Sequence, residues 1–104
     1  MRAWEKNGVD VADEIKSIIG KVLKIEPGTV KAESRLSELA ADSLDIVEMV
    51  YMFEERFDIS MELEARESSF AVKIKRGAQV QNVELDTVGD IVDAVRQIVD
   101  AKVG

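Results

Sequence analysis

Apolar residues fall at helical spacing in three stretches of the chain, and these predict its main elements. Val11, Ile15, Ile18 and Val22, with Ile19 beside them, trace one face of a helix. Asp10 is placed to cap it, and Asp13 and Glu14 in its first turn suit the helix dipole. This helix is expected to run to about Lys24, before Pro27-Gly28 breaks the pattern. Asp42 to Phe57 contains neither Gly nor Pro, and Ile46, Val50, Phe53 and Phe57 form its apolar face. The third stretch opens with Thr87-Val88-Gly89-Asp90, a capping-box spacing with Asp for the usual Glu. Val88, Ile91, Val92, Val95, Ile98 and Val99 then form a stripe to the C-terminus.

The intervening segments read less clearly. Residues 25–41 predict a long loop anchored by Val30, Leu36, Leu39 and the pair Ala40-Ala41. Met61 to Ser69 has the composition of a short helix. Phe70, Val72 and Ile74 alternate with Ala71, Lys73 and Lys75 before Gly77, a brief pattern that fits a small hairpin. The fold class expected is therefore all-α: a bundle of three long helices, a long first loop, and an irregular insertion with a hairpin as one option before the last helix. Residues 10–104 are expected to form one domain, with residues 1–9 an extension in which Trp4 is at most a local anchor.

The outer face of the middle helix changes the picture. Asp45, Glu48, Met52 and Glu55 lie opposite the apolar face, flanked by Leu44, Val47 and Tyr51. A face built only for water would not need these apolar side chains, whereas a docking face would. Charge points the same way. The chain carries −7, and residues 42–58 hold six acids against the single base Arg56, so that −5 of the −7 sits there. Such a balance disfavours nucleic acid, whose recognition rests on Lys and Arg, and favours a basic protein surface. The basic residues Lys73, Lys75 and Arg76 read as a solvated strand edge.

Cysteine and histidine are both absent. Disulfides, thiolate nucleophiles and histidine relays are thereby excluded, and any thiol chemistry must come from an imported group. No apolar run is long enough for a membrane span, no signal-peptide pattern is seen, and no loop has a metal-binding spacing. The expected location is the cytoplasm and the expected state a monomer. Ser43 follows Asp42 at the start of the middle helix. A phosphate ester there would meet free backbone N–H groups at the positive end of the helix dipole.

Asp42-Ser43-Leu44-Asp45, then Val47-Glu48, Glu54-Glu55 and Phe57-Asp58, resemble the attachment motif and recognition helix of acyl carrier proteins. The first helix, the loop with Pro27 and Leu36-Ser37-Glu38-Leu39, and the final Thr87 helix fall in the family's order. The resemblance implies that Ser43 takes 4′-phosphopantetheine from coenzyme A through a phosphopantetheinyl transferase, with Asp42 and Leu44 flanking the site. The arm's thiol would then hold acyl cargo as a thioester, sheltered among the helices, and the chain would be a carrier rather than an enzyme. Asp45, Val47, Glu48, Tyr51 and Glu55 would meet basic surfaces of acyl-chain synthesis and transfer enzymes.

Three features depart from the family pattern. Ala40 replaces a usual glycine, so the turn before the serine is expected to be restricted or remodelled. Arg56 interrupts an acidic run and is expected to narrow partner choice. The distance from Phe57 to Val88 is roughly twice the ordinary one, as in specialised carriers serving nodulation factors or the very long acyl chains of lipid A. That insertion is expected to enlarge the acyl chamber or select a dedicated enzyme. Two other functions fit the same residues: an aminoacyl or peptidyl carrier, and an acidic interaction module without a prosthetic group. Asp42 and Asp45 favour the acyl reading over the former.

Overall fold

A computed structural model describes residues 11–66, 69–76 and 78–103. Its elements are α1 (Val11–Leu23), a 3-10 turn (Pro27–Thr29), α2 (Ser43–Phe57), β1 (Glu62–Ala65), β2 (Phe70–Arg76), β3 (Gln79–Glu84) and α3 (Val88–Val103). The three helices fall where the periodicity places them. The proposed Asp10 cap and the extension 1–9 lie outside the described residues.

The three helices and the sheet share one apolar core. Ile15, Ile19, Ile46, Phe53 and Val95 are among its largest fully buried side chains. Every residue of the expected α2 face, Ile46, Val50, Phe53 and Phe57, is buried, joined by Met49. Val22 and Ile98, expected in the helical stripes, are partly buried and pack against the core.

The all-α expectation is wrong. Three antiparallel strands in the order β1-β2-β3 replace the irregular insertion. Met61 to Ser69, expected as a short helix, instead supplies β1, with Glu62 opposite Lys73 and Leu63 opposite Val72. Helix propensity in Met-Glu-Leu-Glu-Ala is overridden by pairing, because the same residues also alternate with a period of two. Val72 and Ile74 are buried on the inner side, and Leu63 and Val83 pack partly buried beside them. The register of β2 with β3 runs from Ala71 opposite Glu84 to Arg76 opposite Gln79.

The long loop is tied down by its backbone. Leu36 N–H donates to Asp86 C=O at 2.9 Å, Val88 N–H to Ser34 C=O at 2.9 Å, and Gly89 N–H to Ala32 C=O at 2.8 Å. Val30 and Leu36 are buried as expected and Leu39 partly so, but Ala40 is exposed. The cap of α3 forms as read: Asp90 N–H donates to Thr87 Oγ1 at 3.2 Å, and Thr87 N–H to Asp90 Oδ2 at 3.0 Å.

Candidate functional site

Ser43 is the first residue of α2, and the chain is turned into it by two linked devices. The first is a tight turn over residues 35–41. Ala41 N–H reaches back to Leu36 C=O at 3.2 Å, and Ala40 takes the left-handed conformation with φ 59°. This is the same closure that ends α1 at Lys24, where Ile25 N–H donates to Gly20 C=O at 2.9 Å, and α2 at Asp58, where Ile59 N–H donates to Glu54 C=O at 3.1 Å. The turn closes with Ala40 in place. Alanine simply occupies a backbone state that glycine adopts more cheaply.

The second device is a reciprocal cap. Asp45 N–H donates to Asp42 Oδ1 at 2.9 Å, and Asp42 N–H donates to Asp45 Oδ2 at 3.2 Å. Two of the orphan N–H groups of the helix start are thus satisfied. Among the described residues, nothing takes the N–H groups of Ser43 and Leu44. They remain directed out of the helix end, where an anion bonded to Ser43 would find donors and a favourable dipole.

Ser43 is exposed and lines a surface cleft of about 700 Å³. Leu36, Ser37 and Ala41 form one side of it, and Arg66, Ser69, Phe70 and Leu85 belong to the other. An exposed primary hydroxyl, free donors beside it and open volume in front of it fit a covalently attached phosphate-linked arm. The cleft lining includes neither Asp42 nor Leu44. Asp42 contributes by capping the helix, and Leu44 stands 78% exposed.

The remaining predicted residues separate into two groups. Leu44, Val47 and Tyr51 are the exposed large apolar side chains of α2, with Glu48 and Glu55 exposed among them. The phenol of Tyr51 donates to Glu55 one turn along, and this bond holds its pKa above the ordinary range. Asp45 is half-buried and engaged in the cap. Met52, expected on the outer face, is partly buried against the core.

Two further charges of α2 make bonds to other elements. Glu54 Oε2 accepts the N–H of Met61 at 3.0 Å, tying the end of α2 to the entry of β1. Arg56 donates to both carboxylate oxygens of Glu14, at 3.0 and 2.8 Å, and this pairing raises its pKa while joining α2 to α1. The guanidinium of Arg56 is thus already paired, although its side chain stays exposed at the surface. The residues that sequence reading missed are those of the far side of the cleft, Arg66, Ser69, Phe70 and Glu84 to Asp86. Arg66 and Ser69 meet through the pairing of β1 with β2, and Glu84 to Asp86 join them through the pairing of β2 with β3. No local spacing announces that meeting.

No described helix is long and apolar enough to cross a membrane. Comparison with known proteins bears on about half of the chain. The phosphopantetheine attachment site family matches residues 13–65. An acyl carrier protein of Campylobacter fetus subsp. fetus (strain 82-40) is 44% identical over 52 residues, which cover 49% of this chain and 68% of that protein. One from Phaeodactylum tricornutum (strain CCAP 1055/1) is 49% identical over 49 residues, covering 46% of this chain and 64% of that protein. One from Campylobacter curvus (strain 525.92) is 40% identical over 52 residues, with coverage of 49% and 68%. The matched segment includes the turn, the reciprocal cap and the exposed serine, and from it the chain belongs to the acyl carrier protein family, made up of carriers rather than enzymes, whose attachment domain binds 4′-phosphopantetheine covalently.

Proposed function

We propose that Ser43 is the attachment residue and that the chain carries acyl groups for fatty-acid or specialised lipid synthesis. The observation that carries this reading is the position of Ser43: exposed, first in a capped helix, and open to a cleft. In the loading step the Ser43 Oγ–P bond forms and the phosphoanhydride of coenzyme A breaks. The adenosine bisphosphate leaves, and the hydroxyl proton passes to a base on the transferase, since the chain has no histidine. The arm supplies the thiol on which cargo is held.

Leu44, Val47, Glu48, Tyr51 and Glu55 form the docking face for the transferase and for synthesis and transfer enzymes. Exposed apolar side chains give the contact area, and the acids steer a basic partner onto it. The shared core of α1, α2, α3 and the sheet supports residues 10–104 acting as one unit, working as a monomer in the cytoplasm.

The test is intact mass after incubation with coenzyme A, Mg²⁺ and a broad-specificity phosphopantetheinyl transferase. The wild type is expected to gain one phosphopantetheine and Ser43→Ala none, with both variants folded. A gain on Ser43→Ala would remove Ser43 from the reading. No gain on protein isolated from its native host would leave the acidic interaction module in its place.

A further inference from the structure

The cleft at Ser43 has two walls of different origin. Leu36, Ser37 and Ala41 lie inside the segment shared with the family, whereas Arg66, Ser69, Phe70 and Leu85 lie beyond its end at residue 65. The far wall therefore rests on the sheet, most of which lies beyond the matched segment.

That wall is held by bonds of its own. Leu85 N–H donates to Phe70 C=O and Arg66 N–H to Ser69 C=O, each at 2.8 Å. Arg66 bonds Glu64 at 3.0 Å and also bonds Glu84, spanning the sheet across β2. The two walls are joined where Leu36 N–H meets Asp86 C=O at 2.9 Å. A groove fixed on both sides costs a ligand little ordering.

Its chemistry selects among occupants. Leu36, Phe70 and Leu85 give apolar surface, and Ser37, Ser69 and Arg66 give donors. Glu84 and Asp86 add acceptors. An alkyl chain laid here would strip water from these polar groups and return nothing. A ligand that alternates amides and a hydroxyl with methyl and methylene groups would satisfy both kinds of surface. The volume of about 700 Å³ also falls in the usual range for organic ligands.

We infer that the sheet wall makes this cleft a resting groove for the pantetheine portion of the arm, with Phe70, Ser69 and Arg66 as its distinguishing contacts and alkyl cargo excluded. This rests on attachment at Ser43. It differs from the expectation that the insertion enlarges an acyl chamber, since Val72 and Ile74 fill the core from the sheet side.

The experiment compares backbone amide NMR shifts of the apo, holo and palmitoyl-loaded protein, with Ala65→Trp as a blocking variant. Ala65 is exposed at the end of β1 and lines the cleft, so the indole occupies the groove without removing a core side chain. Loading is expected to move the amides of Ser69, Phe70 and Leu85 as well as the start of α2. In folded holo Ala65→Trp the sheet-wall shifts should fall at least threefold. Holo shifts confined to residues 41–46 would overturn the inference, as would sheet-wall shifts that appear only with palmitoyl cargo. Failure of the protein to gain the arm at all, read by mass, would instead count against Ser43 as the attachment site.

Discussion

Two exposed surfaces of this molecule carry many charges, but they spend them differently. On the outer face of the sheet most of the charges are paired with one another. Lys75 bonds Glu62 at 2.9 Å, and Arg66 holds Glu64 and Glu84 together across β2. On the outer face of α2, Glu48 has no bonded partner among the described residues, and Glu55 only accepts from the neutral phenol of Tyr51. Leu44, Val47 and Tyr51 stand exposed on α2, while among the described residues the sheet offers only Val80 as an exposed large apolar side chain. A surface whose charges are already matched has little to gain from a partner. One that leaves acids unmatched beside apolar side chains gains both steering and burial on docking.

The comparison can be broken most severely from inside the sheet. Ile74 is 2% exposed on its inner side, whereas Lys73, its neighbour, faces water. Ile74→Ala is expected to cost about 2–5 kcal/mol in chemical denaturation, by lost burial and the cavity left behind. Lys73→Ala should change stability by no more than about 0.5 kcal/mol. Equal effects would mean that the sheet does not close the core.

A smaller effect is expected on the docking face. Glu48→Lys should lower transferase kcat/KM roughly tenfold at low salt, with the difference shrinking as salt rises, because the acid acts on encounter. The same change at Glu62, already paired on the sheet, should leave kcat/KM within about twofold of wild type. If the two substitutions behave alike, net charge rather than the α2 face guides the partner.

The two regions also differ in how far the chain announces them. The α2 face could be read because Ile46, Val50, Phe53 and Phe57 repeat with the helix itself, and a helix needs no distant segment to complete its backbone bonds. The start of α2 could be placed for the same reason, and Ser43 was singled out by its position there and by the resemblance of its motif, while the cap between Asp42 and Asp45 emerged only in the structure. A strand is completed only by its neighbour. Phe70, Val72 and Ile74 showed their alternation, but Met61, Leu63 and Ala65 alternate inside residues of high helix propensity, and only pairing with β2 decides between the two. The far wall of the cleft was illegible because it exists only once β2 is in register with both β1 and β3.

Between the two regions, the turn at Ala40 sets how Ser43 is presented. A left-handed residue other than glycine carries a steric cost of about 1–2 kcal/mol, partly offset because glycine loses more freedom on folding. Ala40→Gly is therefore expected to raise stability by about 1 kcal/mol in denaturant melts. Arm loading should be unchanged, since the bond from Ala41 to Leu36 is kept. Destabilisation would mean that the methyl group of Ala40 makes contacts worth more than the strain.

The weakest expected effect lies in the sheet's own charge pairs. The bonded ammonium of Lys75 holds the carboxyl of Glu62 below the usual carboxylate range, with Lys73 adding a smaller pull in the same direction. A group whose pKa is lower folded than unfolded stabilises the fold above its unfolded value, about 4.3 for glutamate, and loses that contribution as pH falls through the folded value. The pair should thus hold at neutral pH and weaken only in acid. A side-chain NMR titration of Glu62 should show a midpoint below the ordinary glutamate value that moves upward, toward it, in Lys75→Ala. Because both groups are exposed, the accompanying change in stability should be small and should fade with salt. A midpoint that ignores Lys75 would show the pair to be a contact without energetic weight. The sheet's outer charges would then be as free as those of α2, and the apolar side chains alone would remain to distinguish the docking face.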